Sequence, residues 1–206
     1  MRLLREYIRR TLTEIVGDQC DVLAVFDFDD TLVTSDSAIG VTHKDGTSER
    51  LTSAAYALYR TQPGDEFDYS EFNSVMSPVS TKYLEVLRDT LDKCGTDSVL
   101  VLTARSSESK AALQEFFSDV GVYLVDIVTV GGPGVTGASS AKAKALVIRD
   151  YVRRLQPRGI SVVHFYDDSS ANIHAVRIMA DKDPVFMGPD GVPIVEVITH
   201  QVDIGH

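Results

Sequence analysis

A short apolar run that ends in a group of acids constrains this chain more than any other stretch. Residues 22–26 read Val-Leu-Ala-Val-Phe, and Asp27, Asp29 and Asp30 come right after them. The run is too short for a typical helix and lacks polar alternation, so it predicts a strand buried on both faces. Clustered carboxylates repel one another and resist burial. They therefore predict a divalent cation at the end of this strand, with an acidic surface turn as the alternative.

Farther along the chain, apolar runs alternate with helical patterns. This alternation is typical of a parallel sheet that is covered by helices on both faces. A length of 206 residues fits one domain, so we expect residues 1–206 to form a single α/β unit. Strands are predicted over 98–102, 122–130, 160–166 and 185–187, with an edge strand over 194–198, and helices over 78–94, 140–155, 169–180 and from 106 or 107.

The segment 33–77, between the first strand and the next long helix, is mostly polar and irregular. Its Asp45-Gly46 pair is a strong signal for a tight turn, which predicts a hairpin with arms over 38–43 and 48–51. The segment has few apolar residues from which to build a core of its own. We therefore expect a small flap or minimal cap at the strand ends and no large cap domain.

Composition and cysteine usage limit the classes of function. A formal net charge of −10 argues against a broad nucleic-acid or membrane surface, because both partners are anionic. No apolar run has the length of a membrane span, and no secretory signal is visible. Cys20 and Cys94 lack metal-ligand spacing and are expected to be buried free thiols in a reducing compartment. Together these features predict a cytoplasmic location.

The pattern of residues 1–16 predicts an amphipathic helix packed on the domain, with a basic membrane-surface helix or transit segment as the alternative.

Polar side chains follow three of the predicted strands. Asp27 and Asp29 follow the first, Thr103 ends the second, and Asp167 and Asp168 end the fourth. In open parallel sheets, ligands bind beyond the carboxyl ends of the strands, so these side chains are expected to meet there. Carboxylate oxygens are the hard ligands that Mg²⁺ prefers.

The helix over 140–155 carries two lysines near its start, Lys142 and Lys144. Its buried stripe runs through Ala141, Ala145 and Ile148, and Lys144 lies beside that stripe, whereas Lys142 points away. The helical pattern therefore favours Lys144 as the lysine that faces the strand ends, with Lys142 as the alternative.

Four short motifs, taken in order, resemble those of the haloacid dehalogenase (HAD) superfamily of phosphohydrolases. Residues 27–31 read Asp-Phe-Asp-Asp-Thr after a strand, Thr103 ends the next strand, Lys144 follows on a helix, and Asp167-Asp168 closes the series. Each motif is weak alone, but their order at strand ends is specific. The resemblance implies a three-layer α/β/α sandwich with a Rossmann-like, mostly parallel sheet and the strand order 5-4-1-2-3.

The resemblance also implies roles for individual residues. Asp27 would be the nucleophile that forms an aspartyl-phosphate, and Asp29 would act as general acid and then general base. Thr103 would hydrogen-bond a phosphoryl oxygen, and Lys144 would neutralise its charge. Dehalogenase members of the family lack the second aspartate, so Asp29 points to phosphate chemistry.

A magnesium ion completes the site that the resemblance implies. Asp27, the backbone carbonyl of Asp29, and Asp168 would hold the ion, while Asp167 would act behind them or through water. Arg105 directly follows the second motif, and we expect either a substrate contact or a surface salt bridge.

The sequence therefore predicts a Mg²⁺-dependent phosphatase that hydrolyses phosphomonoesters. Its substrate would be a small molecule or an exposed phosphate on a macromolecule. Two alternatives remain open: a HAD-fold binding or regulatory module with weak or lost turnover, and a phosphatase for nucleic-acid ends.

Overall fold

A five-stranded parallel sheet forms the centre of this computed structural model, which describes residues 20–123, 125–132 and 137–203. Strands and helices are numbered in chain order, and the sheet strands are β1 (Val22–Phe26), β7 (Val99–Thr103), β8 (Asp126–Thr129), β9 (Val162–Asp167) and β10 (Glu196–Gln201). Across the sheet the strands lie in the order β10-β9-β1-β7-β8, so β1 is central, and every neighbouring pair is parallel. The predicted α/β class with a parallel sheet is confirmed.

Helices cover both faces of the sheet because successive side chains of its strands point to opposite faces. The helices are α1 (Ser53–Leu58), α2 (Lys82–Cys94), α3 (Lys110–Asp119), α4 (Gly137–Leu155) and α5 (Ser170–Lys182). On β1, Leu23 and Val25 join one buried cluster with residues of α4 and α5. Ala24 and Phe26 join a second cluster with α2 and α3 on the other face.

The segment between β1 and α2 forms two small antiparallel sheets, and we call residues 33–80 the insert. Its outer strands, β2 (Val33–Thr34) and β6 (Val79–Ser80), pair with each other close to the central sheet. Pairing of β6 delays the start of α2 to Lys82, after the Thr81 cap, rather than the predicted residue 78. The remaining strands, β3 (Ile39–Thr42), β4 (Ser48–Leu51) and β5 (Glu66–Asp68), form a sheet in the order β4-β3-β5.

A tight turn and a cluster of aromatic rings belong to this smaller sheet. The turn between β3 and β4 contains Gly46 with φ of 86°, a left-handed conformation that glycine adopts without strain. An aromatic cluster lies beside β5, with ring centroids 5.8 to 6.0 Å apart along a chain of contacts. The rings belong to Tyr56, Tyr59, Phe67 and Tyr69.

The two cysteines are joined in a disulfide, so the prediction of free thiols is wrong. Cys20 precedes β1 and Cys94 ends α2, and packing of α2 beside β1 brings their Cα atoms to 5.2 Å. Disulfides persist in oxidising compartments, so cysteine usage no longer argues for a cytoplasmic location. In the described part of the chain, no helix is long and apolar enough to cross a membrane. The helix predicted over 1–16 lies outside the described residues.

The fifth predicted strand, over 185–187, is also wrong. Pro184–Phe186 forms a 3₁₀ turn, in which the Asp183 side chain accepts a hydrogen bond from the backbone N–H of Val185. Proline lacks the backbone N–H that a strand ladder uses, which favours the turn. The edge strand β10 begins later than predicted and carries His200.

Candidate functional site

The strand ends bring the first and fourth motifs together. Because β1 and β9 are parallel with Phe26 opposite Tyr166, the next residues, Asp27 and Asp167, lie side by side. The backbone N–H of Asp27 donates to the Tyr166 carbonyl at 2.9 Å, which continues the ladder to the edge of the sheet. Both carboxylates are buried there.

Lys144 lies between these two acids. It comes from α4, is fully buried, and places Nζ 2.8 Å from Asp27 Oδ1 and 2.9 Å from Asp167 Oδ2. Burial alone would lower the pKa of Lys144, but the charges of Asp167 and Asp27 raise it above its ordinary value. Lys142 is exposed on the same helix, so the structure brings Lys144, and not Lys142, to the strand ends.

Asp167 is held entirely by donors from the protein. Besides Lys144, the Asn172 side-chain amide donates to both carboxylate oxygens, at 2.8 and 3.0 Å. The backbone N–H of Ser169 donates to Oδ1 at 2.9 Å. Asn172 therefore orients the acidic loop after β9, and Asp167 is placed to support the site from behind.

Asp168 completes a group of three acids with Asp27 and Asp167. Ligand oxygens of the three lie within 4.8 Å of one another, so the cluster can hold a metal ion. Burial raises the pKa of the Asp27 carboxyl well above its ordinary value. Burial and the neighbouring Asp167 charge raise the pKa of Asp168 to about 7. Burial disfavours the ionised form of such carboxyls, so a bound cation would stabilise that form strongly.

Asp29 belongs to a different ion pair. The Arg105 side chain, 2% exposed, donates from Nε to Asp29 Oδ2 at 2.9 Å and from Nη2 to Oδ1 at 2.8 Å. Its Nη1 donates to the backbone carbonyls of Phe72 at 2.9 Å and Ser74 at 2.5 Å, both in the insert. The expectation of a surface salt bridge for Arg105 is wrong, because the pair is buried on both sides.

The turn after β1 separates Asp27 from Asp29. The Phe28 carbonyl accepts the N–H groups of Leu32 and Val33, and Asp30 adopts φ of 57° within this turn. The Asp27 carboxylate is thereby placed beside Lys144, whereas the Asp29 carboxylate lies beside Arg105.

Thr103 is fully buried at the end of β7, next to β1. Its Oγ1 accepts the backbone N–H of Arg105 at 3.2 Å. The predicted phosphate-binding hydroxyl thus lies at the strand end that leads into the loop with Arg105, and its proposed role in binding substrate stays a prediction.

The sequence assigned no role to two buried hydroxyls, although one of them, Thr31, belongs to the first motif. Within the described residues, Thr31 Oγ1 and Ser140 Oγ have no hydrogen-bond partner. Ser140 precedes Lys144 by one helical turn, so the two share a face of α4. That four-residue spacing from the lysine was the sequence signal that could have identified Ser140.

Comparisons with known proteins do not add to the interpretation of this site. No protein-family model, curated protein or solved structure matches the chain. The resemblance to the HAD superfamily therefore rests on the motif residues themselves.

Proposed function

We propose that this protein is a Mg²⁺-dependent phosphohydrolase of the HAD type that cleaves phosphomonoesters. The observation that carries the proposal is the arrangement around Asp27. Asp27 directly follows the central strand, its carboxylate contacts buried Lys144, and it belongs with Asp167 and Asp168 to a group of acids that could hold a metal ion. Transfer of an anionic phosphoryl group requires a nucleophile with positive charge beside it. Here the Lys144 ammonium group would supply one positive charge, and a metal ion held by the acids would supply a second.

The reaction would proceed in two displacements on phosphorus. In the first, an Asp27 oxygen would form a bond to phosphorus while the ester P–O bond breaks and Asp29 gives a proton to the leaving alcohol. In the second, a water oxygen would form a bond to phosphorus while the P–O bond to Asp27 breaks, Asp29 would take a proton from the water, and inorganic phosphate would leave with the Asp27 carboxylate restored. Lys144 and Thr103 would contact phosphoryl oxygens during both steps.

The oxygen donors at this edge fit a hard divalent cation. Carboxylate oxygens of Asp27 and Asp168 with the Asp29 backbone carbonyl would hold Mg²⁺, and Asp167 would support them through Lys144 and Asn172. When bound, the ion would offset negative charge on the phosphoryl group and on the carboxylates.

The substrate class is a phosphomonoester, small or exposed on a macromolecule. The net charge of −10 disfavours tight binding to a polyanion, so a nucleic-acid end is the less favoured substrate. A regulatory module without turnover is the other candidate, and the complete set of acids argues against it.

Hydrolysis of an aryl phosphate tests the proposal directly. We expect activity with Mg²⁺, none in a chelator, and little with Ca²⁺, whose looser coordination misplaces the reacting oxygens. Asp27→Asn should lower kcat by at least roughly 10³-fold, because the amide cannot serve as the nucleophile. Circular dichroism would check that the variant folds. Substantial turnover by folded Asp27→Asn would contradict the covalent mechanism, and inactivity of the wild type across a panel of phosphomonoesters would favour the regulatory module.

A further inference from the structure

Arg105 is the largest fully buried side chain in the described part of the chain. A buried guanidinium is retained at a net cost unless it is paired and hydrogen-bonded. Here two donors go to the Asp29 carboxylate and the two Nη1 hydrogens go to the Phe72 and Ser74 carbonyls. Four of the five N–H donors of the side chain are thereby used within the protein.

These bonds join two parts of the fold that are distant in sequence. Asp29 lies just beyond the central strand, whereas Phe72 and Ser74 lie in and beside the 3₁₀ helix Ser70–Asn73 of the insert. The Arg105 guanidinium also lies 4.8 Å from the centre of the Phe72 ring, which adds a cation–π contact. The bidentate geometry fixes both the position and the plane of the Asp29 carboxylate.

A second set of contacts holds the same part of the insert to the loop after β7. The Asn73 amide donates to Glu108 at 2.9 Å, and the Ser106 hydroxyl lies 3.3 Å from Asn73 Oδ1. The 3₁₀ helix of the insert is therefore packed against the segment that carries Arg105. A displacement of this helix moves the two carbonyls that Arg105 binds.

We propose that Arg105 is a positioning residue that couples the insert to the Asp29 carboxylate. Through it, the position of residues 70–74 determines where Asp29 lies relative to Asp27. Arg105 then affects the chemical step and not the binding of substrate. This inference rests on the proposed function, in which Asp29 transfers the proton.

Steady-state kinetics of Arg105→Lys separate this role from a substrate contact. Lysine keeps the charge but cannot bind one carboxylate and two carbonyls in the same geometry. We expect kcat to fall about 10-fold or more from misplacement of Asp29, with KM nearly unchanged. Arg153→Lys is the matched control, because Arg153 forms an exposed pair with Asp150 on α4, outside the insert, and its kcat should stay at the wild-type value.

Phe72→Leu tests the same coupling by a change within the insert. The change loosens the 3₁₀ helix and removes the ring that the Arg105 guanidinium contacts, but it leaves Arg105, Asp29 and the Phe72 carbonyl in the chain. We expect kcat to fall again with little change in KM. If both variants act through one coupling, the double variant should lose less than the product of the two single losses. Should Arg105→Lys fail to fold, Phe72→Leu alone decides: a normal kcat contradicts the proposal.

Amide hydrogen exchange gives a readout that does not depend on turnover. The N–H groups of Phe72, Ser74 and Met76 donate hydrogen bonds in this segment, and Arg105→Lys should speed their exchange while leaving β1 and β9 unchanged. Wild-type protein inactive on every phosphomonoester would defeat the proposed function but leave this result standing. A higher KM with normal kcat, or unchanged kinetics together with unchanged exchange, would overturn the inference.

Discussion

Two buried ion-pair clusters flank the end of the central strand, and they are built differently. The lysine cluster consists of Lys144 on α4, Asp27 directly after β1, and Asp167 at the end of β9. The arginine cluster consists of Arg105 and Asp29 together with the Phe72 and Ser74 carbonyls of the insert, so part of it lies outside the sheet.

The difference indicates how the proposed roles are divided. Residues of the lysine cluster are positioned by the parallel ladder of β1 and β9 and by the buried face of α4, so the proposed nucleophile is packed within the core. The arginine cluster depends on the position of a 3₁₀ helix in the insert. The proposed nucleophile, Asp27, is therefore held by the central sheet and α4, and the proposed proton donor, Asp29, is held through Arg105 by the insert.

The largest effect is expected in the lysine cluster. Removal of one partner from a buried ion pair costs about 3–5 kcal/mol of stability, and Lys144→Ala leaves two buried carboxylates unpaired. Its kcat should also fall by at least about 100-fold, since Asp27 loses the group that orients it. Denaturant titration and aryl-phosphate kinetics measure the two losses.

Lys142→Ala is the matched control for that experiment, because Lys142 is exposed two residues away on the same helix. Its stability should change by less than about 0.5 kcal/mol. Equal losses in the two variants, or a larger loss for Lys142→Ala, would contradict the placement of the lysine cluster.

An intermediate effect is expected when the tip of the β3–β4 hairpin is deleted. Residues 44–47 form the turn, in which Asp45 accepts hydrogen bonds from the backbone and side chain of Thr47. Their removal should lower kcat/KM by about 10-fold or less, equivalent to ~1.4 kcal/mol, through a displaced insert. Thermal unfolding of the whole domain should remain cooperative. Unchanged kinetics on every substrate would show that the hairpin does not influence the site.

The smallest effect is a pH dependence confined to the insert. The His43 ring lies 2.9 Å from Asp65 and 3.2 Å from Glu49, and the hydrogen bond to Asp65 raises the pKa of His43 above its ordinary value. Since the folded pKa is raised, the protonated ring stabilises the insert at low pH. That contribution is full below about pH 6.5 and is lost as pH rises through the higher folded pKa.

Amide protection factors measure this effect, because they are corrected for the intrinsic pH dependence of exchange. Protection of β3 and β5 should decline as pH rises above about 6.5, and His43→Gln should remove the decline. His174→Gln, at an exposed helical position, should leave the decline as in the wild type. A decline that persists in His43→Gln would assign the pH dependence to other groups.

Local pattern was sufficient to predict much of the core. Apolar runs without polar alternation identified β1 and β7, because strands buried on both faces carry that signature. The helical stripe through Ala141, Ala145 and Ile148 placed Lys144 at the buried face, where the structure has it. These predictions succeeded since each depends on residues close together in the chain.

Features that depend on distant partners were missed. Arg105 pairs with Asp29 across 76 positions and binds backbone carbonyls of the insert, which no side-chain pattern reveals. The Cys20–Cys94 disulfide likewise spans 74 positions. A 3₁₀ turn begins at Pro184 where a strand was predicted from a short apolar run. Proline lacks the backbone N–H that a strand ladder uses, which favours the turn.

Trapping of the covalent intermediate tests the central claim most directly. Wild-type protein would be mixed with an aryl phosphate and Mg²⁺, quenched in acid within a single turnover, and digested for mass spectrometry. We predict one added phosphoryl group on the peptide that contains Asp27, and its loss in Asp27→Asn. Product release without a phosphorylated peptide, or a phosphoryl group on another residue, would contradict Asp27 as the nucleophile.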